Sequence, residues 1–523
     1  VSQPRRYYIT TAIDYPNSLP HIGTAFEKLG ADVQARYRRL EGYDVFFLMG
    51  NDENTVKVSR RAQELGKDTQ AYCDEMAAGF QAVWRALGIS HDDFIQTSEP
   101  RHHAGCRAFI QKVFDNGHIY KGHYEGWYCD GCEAFKTDKE IGEAKVCPIH
   151  QKPVVLRKEP CYYFRLSAFR DRLLEFYAQH PDFIQPESRR NEVVAFVERE
   201  LLDVNITRSG EDWGIRVPFD EAFTIYVWFD ALLNYVTGVG YGTDEARFNQ
   251  WWPADVHVIG KDITRFHCAL WPAMCFAAGI APPRLVFGHG FVSIRGEKIG
   301  KSTGNAIEPM ELIEKFNAEA FRYYFLRDCP FPGDGEFSWE RFTDRYNADL
   351  ANNLGNLFSR TVKLVSQNEN ATLPGTAGVV PTPVPSVVPL AKIVADVRGH
   401  IEAFRYSQAL EAIWMQVLYP ANQYFDRTEP WKLVKTDAAA ARKVLFEQVE
   451  QLRVIAILLK PFLPATAETI YRGFNHSQPW EQVSYGSILD RPAQTEDVRV
   501  TAPLENGKVK PLFDRLREEG AKK

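Results

Sequence analysis

Near the amino end, His21, Ile22, Gly23 and Thr24 stand between a strand-like run and a helical one. A junction of that kind offers free backbone N–H groups and the positive end of a helix dipole, which suit a phosphate, and Gly23 lets a ligand come close to the backbone. Much later, Lys298, Ile299, Gly300, Lys301 and Ser302 make a glycine-punctuated loop whose two lysines can close over a triphosphate. Either cluster alone also reads as a solvated loop, and it is the pairing of the two that carries weight. A third cluster, Cys129-x2-Cys132 and Cys147-x2-His150, has fourteen residues between its halves. It offers four thiolate or imidazole ligands in two knuckles, a spacing suited to one tetrahedral zinc. Four protein ligands leave no open position, so that zinc is expected to be structural.

Two helical segments carry apolar faces. Trp228, Ala231, Leu232 and Tyr235 recur at i, i+3, i+4 and i+7, and Ile263, His267 and Trp271 at i, i+4 and i+8. Together with Ile13 and Tyr15 they could wall an apolar, aromatic slot of the kind that takes a thioether; ordinary core is the plain alternative. Asn356 and Arg360 lie one helical turn apart, and Trp431 follows Pro430. Taken alone these suggest an exposed helix face and a buried tryptophan.

The elements that must position these residues alternate. Residues 7–11 and 44–49 read as strands and 25–40 as a helix; residues 256–259, a turn over 260–262 and a helix over 263–278 repeat the pattern. The alternation predicts an α/β fold with a parallel, doubly wound sheet, which binds ligands beyond the carboxyl ends of its strands. Residues of about 115–215 interrupt it with clustered cysteines and weaker periodicity. From about Asn347 the spacing is helical almost throughout, broken by Pro374, Pro381, Pro383, Pro385 and Pro389, which read as a loop inside a helical bundle.

At 523 residues the chain needs two or three domains, and a 45% apolar share with 25% charged residues fits a globular protein. A net charge of -6 argues against indiscriminate nucleic-acid binding but allows a local basic surface. Nine cysteines fit reduced thiols and metal ligation, which implies a cytoplasmic home. The amino end lacks the apolar stretch of a signal peptide, and no run approaches the roughly 20 apolar residues that cross a bilayer, so no membrane is expected.

Taken together, the His21–Thr24 and Lys298–Ser302 clusters on the two halves of a split nucleotide fold resemble the signature motifs of class I aminoacyl-tRNA synthetases. The runs YVWFDA (226–231) and IGKDI (259–263), with His267 and Trp271, look like the methionine-pocket segments of the methionyl-tRNA synthetase family, and the resemblance runs from Tyr8 to about Leu512. It departs at Thr24, where a second histidine is usual, at Ile299-Gly300, where Met-Ser is usual, and at Asn54, where a histidine is commoner. The resemblance implies a class I nucleotide-binding (Rossmann-like) parallel sheet, split by a zinc-bearing insertion and followed by an all-α bundle. Its parts would be 1–114 and 216–285 for the two catalytic halves, 115–215 for the insertion, 286–345 for the signature-loop and stem-contact region, and 346–523 for the anticodon-binding domain.

By the same resemblance the activity would be methionine activation with ATP and transfer to tRNA. His21, Thr24, Lys298 and Lys301 would be catalytic. Gly23, Glu27, Gly260 and Asp262 would join them on ATP, with magnesium accompanying the nucleotide. Asp52 would take the substrate ammonium, while Ile13, Tyr15, Trp228, Ala231, Leu232, Tyr235, Ile263, His267 and Trp271 wall the methionine. Asn356, Arg360 and Trp431 would read the anticodon of initiator and elongator methionine tRNAs. The partners would be ATP, L-methionine and those tRNAs, and a monomer is expected. A synthetase-like paralogue with weak or no catalysis is the alternative that Thr24 and Ile299-Gly300 motivate; a nucleotidyltransferase fits the knuckles and the helical region less well.

Overall fold

The computed structural model describes residues 5–129, 134–136, 141–149, 151–209, 211–299, 306–368, 372–373, 388–490, 497–505 and 508–516. Cys132, His150, Gly300, Lys301, Ser302, Pro374, Pro381, Pro383 and Pro385 lie outside the described residues, and Lys298 is described through its backbone.

The runs read as strands pair in one sheet of six, all parallel, in the order Asp93–Gln96, Asp44–Asn51, Arg6–Thr11, Val256–Gly260, Val286–His289, Ile184–Gln185. Both faces are covered, so the strand middles are mostly apolar and their buried polar groups are paired, as Thr10 Oγ1 and His257 Nδ1 are at 2.7 Å. Successive side chains point to opposite faces, so Tyr7 and Ile9 enter one core and Tyr8 the other; Phe47 and Met49 part from Phe46 and Leu48 in the same way. The winding reverses between Arg6–Thr11 and Val256–Gly260, and a crevice opens beyond their carboxyl ends. The edge strand Ile184–Gln185 comes from the stretch expected to be inserted; two residues are too few to show a period-2 signal. Four of the other inserted strands form a separate antiparallel sheet, Ala134–Lys136, Ile119–Cys129, Val155–Phe164, Val204–Asn205, while Thr207–Ser209 pairs antiparallel with Phe223–Ile225.

The helix Ile22–Leu40 crosses from the first strand to the second and is buried on nearly all sides, because the helical region packs on its outer face. Tyr406 donates to Gly30 O at 2.7 Å. Arg322, wholly buried, reaches Asp32 at 2.7 Å and Phe462 O at 2.8 Å. The helical region winds around Ala438–Leu459, whose second half is buried on every face. It also carries two short antiparallel strand pairs, Thr372–Leu373 with Val498–Arg499 and Leu504–Glu505 with Lys508–Val509. Among the described residues no helix is long and apolar enough to cross a membrane.

Candidate active site

His21 caps the helix Ile22–Leu40 by accepting the Thr24 N–H at its Nδ1, 3.2 Å away, with Thr24 Oγ1 3.5 Å from the same atom. A Cβ on residue 23 would stand 3.0 Å from the His21 ring, so glycine there leaves the imidazole its place. No acid occupies the first turn, and the Ile22 N–H donates to Ile307 O at 3.0 Å, so the terminus is partly satisfied from within the chain. Gly260 ends its strand beside Asp262, which is exposed at the start of the next turn.

Glu27 is not a free ligand group. Its Oε1 pairs with Lys28 at 2.7 Å and its Oε2 with His289 Nε2 at 3.0 Å, while Lys28 also reaches Asp14 at 2.9 Å and Ala12 O at 2.9 Å. Burial would raise the Glu27 carboxyl, but Lys28 and His289 outweigh it and hold the group below its ordinary range. Asp14, the second claimant on Lys28, is pushed by burial up to about 6. Lys28 and His289 were not singled out in the sequence, although a Glu-Lys pair on a buried helix face is a signal that could have found them.

Next to this network the structure brings together Ile13, Tyr15, Asp52, Trp228, Ala231, Leu232, Tyr235, Ile263 and His267 around a small cavity of about 40 Å³, with Ala12 and Asn234. Trp228 stacks on Phe266 at 4.0 Å, and Tyr15 is 40% exposed at the mouth. His267 Nδ1 lies 3.0 Å from the Ile263 carbonyl, which can only accept, so Nδ1 carries the proton; Nε2 then accepts the Tyr235 hydroxyl at 2.7 Å. Burial pushes His267 down to about 4, and the pair presents a neutral polar wall. Trp271 does not line the cavity. It is wholly buried one layer behind, donating to His257 Nε2 at 3.2 Å and packed on Tyr235 and Phe109. The widened turn Phe266–Leu270 adds a residue to the helix and rotates Trp271 off the face that spacing alone had given it.

Asp52 follows the strand Asp44–Asn51 and is only 4% exposed. Its N–H donates to Asp14 O at 2.9 Å, but its Oδ1 has no hydrogen-bond partner among the described residues. Asn234 Oδ1 is also buried without one. Two orphaned acceptors on an otherwise apolar cavity call for a donor-rich cation from outside. Asn234 was missed in the sequence because its short helix Asn234–Thr237 gives no periodicity to place it.

Of the knuckle residues, Cys129 ends a strand and Cys147 heads a tight turn closed by Gln151 N–H to Cys147 O at 2.8 Å; both are buried beside Ile141 and Val154. In the helical region the Arg360 guanidinium lies 4.3 Å over Phe425 and 5.3 Å over Trp431, and pairs with Asp426 at 2.8 Å. Asn356, one turn earlier, is exposed.

A split parallel sheet with a phosphate-ready helix terminus and an acid-bearing apolar cavity at its switch point defines a class I aminoacyl-tRNA synthetase fold. The family described as "tRNA synthetases class I (M)" matches residues 7–153 and 142–362, and "Anticodon binding domain of methionyl tRNA ligase" matches 387–504. The methionine--tRNA ligase of Thermosynechococcus vestitus is 42% identical over 98% of this chain and 97% of its own length. That of Caldanaerobacter subterraneus is 42% identical over 93% and 77%. The structure of Mycobacterium tuberculosis methionyl-tRNA synthetase in complex with methionyl-adenylate superposes with a TM-score of 0.86 at 39% identity, over 96% of this chain and 99% of that one. The chain belongs to the methionine--tRNA ligase family.

Proposed function

We propose that the chain activates L-methionine with ATP and transfers it to the 3′-terminal adenosine of initiator and elongator methionine tRNAs. The cavity carries this reading: an apolar, aromatic slot with a neutral Tyr235–His267 pair and one buried carboxylate whose Oδ1 is unpaired. Asp52 takes the ammonium, with Asn234 Oδ1 as a second acceptor. The neutral wall suits an uncharged thioether and disfavours a charged side chain, which would be desolvated there without a partner.

With the amino group so held, the substrate carboxylate attacks the α-phosphorus of ATP, the bond to the β-phosphate oxygen breaks, and pyrophosphate leaves. No enzyme-bound covalent intermediate is needed; positioning and charge stabilisation do the work. The His21-capped helix terminus stabilises the growing negative charge, with Lys298 and Lys301 closing over the departing phosphates. Gly23 and Thr24 border the same space, and Gly260 and Asp262 hold the ribose. Glu27 serves the adenosine side through a carboxylate kept ionised by Lys28 and His289. Magnesium bound with ATP would neutralise phosphate charge. The tRNA's terminal hydroxyl then attacks the methionyl carbonyl and displaces AMP, while Asn356, Arg360 and Trp431 read the anticodon, the arginine prestacked on its aromatic neighbours.

Cys129, Cys132, Cys147 and His150 would hold one zinc, which fits the burial of both described cysteines in a cluster too small to hold the knuckle by packing alone. Reduced thiols at Cys73, Cys106, Cys268, Cys275 and Cys329 suit a reducing, cytoplasmic setting. We read the chain as a monomer; a light-scattering mass near twice 59.8 kDa contradicts that.

The deciding experiment is pyrophosphate exchange into ATP with each amino acid in turn. Exchange should depend on methionine, and silence with methionine overturns the reading. Replacing Lys301 by Ala should lower the exchange rate and leave the methionine KM in place, since the lysine serves the phosphates.

A further inference from the structure

Behind the wall of the cavity lies a buried polar chain with no part in the chemistry above. Asp230 is 0% exposed on the helix Val227–Ala231, whose Trp228 and Ala231 line the cavity. Its Oδ2 accepts from Asn54 Nδ2 at 2.9 Å, and its Oδ1 lies 2.8 Å from His102 Nε2. His102, also wholly buried on the helix Pro100–Asp115, places Nδ1 2.8 Å from Thr237 Oγ1. Asn54 donates in addition to Thr97 O at 2.9 Å. Cys106 Sγ is 3.2 Å from His102 Nε2, and the three side chains are near enough to share a metal. Both Asp230 oxygens and both His102 nitrogens already have partners, however, and Asn54 Oδ1 is the buried acceptor of the chain without one among the described residues.

This network ties the loop bearing Asp52 to the helix that walls the cavity, from outside it. We propose that Asp230, held between His102 and Asn54, is a positioning residue for methionine recognition: it aligns the Asp52 loop and places a second acid behind the site that takes the ammonium, where methionine and protons compete. The proposal rests on the reading that Asp52 receives the ammonium.

The groups facing Asp52 bear this out. Glu53 adjoins it on the loop, Asp14 and Tyr15 come from the preceding strand end, Tyr226 and Asp230 from the next helix, and Tyr235 and His267 from across the cavity. Lys28 is taken up by Asp14 and Glu27, and Arg208 stacks on the Tyr226 ring at 4.1 Å. Among the described residues no cationic side chain lines the cavity. Burial, then the charges of Asp230 and Glu53, push the Asp52 carboxyl well above the ordinary carboxylate range. An ammonium in the cavity therefore competes with a proton for Asp52 as pH falls.

Methionine KM should accordingly rise as pH falls. The variant Asp230→Asn removes the like charge and keeps the shape, so the acid limb of kcat/KM for methionine should move down by about one pH unit, with ATP KM unchanged. Asn54→Ala should raise methionine KM without moving the limb, because the charge remains. An unmoved limb in Asp230→Asn overturns the proposal. If that variant does not fold, calorimetry of methionine binding to the unaltered protein in buffers of different ionisation enthalpy decides: net proton release supports the proposal, and none overturns it. Asp52→Asn separates the two readings, since undiminished methionine affinity in that variant sinks the ammonium assignment itself.

Discussion

His267 and Asp52 show how single side chains acquire roles that their types do not announce. A histidine on a helix face is ambiguous until its two nitrogens are assigned; here the Ile263 carbonyl and the Tyr235 hydroxyl leave one tautomer, neutral. The shift from 6.5 to about 4 makes a stability prediction. The unfolded chain binds the proton first as pH falls, so the contribution is whole above 6.5, lost progressively between 6.5 and about 4, and gone below that. The loss is roughly 3 kcal/mol. His267→Gln should flatten the pH dependence of denaturant midpoints across that window. For Asp52→Asn, losing a charged hydrogen bond to the ammonium should cut kcat/KM for methionine about 10- to 100-fold in pyrophosphate exchange, with ATP KM little changed. Of the polar residues the sequence left unmarked, Lys28, Asn234, His102 and Asp230, the last two draw their meaning from each other across a long stretch of chain, and Asn234 from the cavity it faces.

At the scale of elements, the helix Ile22–Leu40 is the part on which the phosphate chemistry turns. Its first turn makes the phosphate-ready terminus, and the Cβ distance at Gly23 shows why the backbone there must stay bare. Gly23→Ala should displace the His21 ring and lower the exchange rate by at least about tenfold, while methionine binding measured by intrinsic fluorescence stays unchanged. Gly50 has a related constraint at the end of its strand, where a Cβ would stand 2.2 Å from Ile95 O. The boundaries of this helix and of the strands beside it were legible because 3.6- and 2-residue periods survive wherever a face is buried. The widened turn Phe266–Leu270 was not legible: one added residue leaves composition and spacing intact and changes only which way Trp271 points.

Across the whole molecule, the catalytic and helical regions are joined through buried polar ties. Arg322 reaches Asp32 of the nucleotide fold, Leu87 O beyond it, and Phe462 O of the helical region. Arg322→Ala leaves Asp32 its Arg36 and Ser90 partners but strands the carbonyls of Leu87, Pro461 and Phe462, so it should cost about 3 kcal/mol in denaturant unfolding, more than a surface arginine could. Trp431→Ala should act at the other end, lowering aminoacylation of tRNA about tenfold or more while leaving pyrophosphate exchange intact. Elemental analysis should return one zinc per chain, and its removal should unfold the knuckle and spare the central sheet.

The sequence by itself determined the alternation that makes a split parallel sheet and the helical character of the carboxyl third, which follow from local periods and turn residues. The cavity wall and Asp52 were read through the family resemblance, since apolar spacing alone fits ordinary core equally well. Tertiary structure alone decided that Glu27 is locked by Lys28 and His289, that Trp271 stands behind the wall, that Ile184–Gln185 completes the main sheet, and that Asp230 is tied to Asn54 and His102. Each of these depends on which distant segments are brought into contact, and a charge takes its value from neighbours and burial that no local pattern contains.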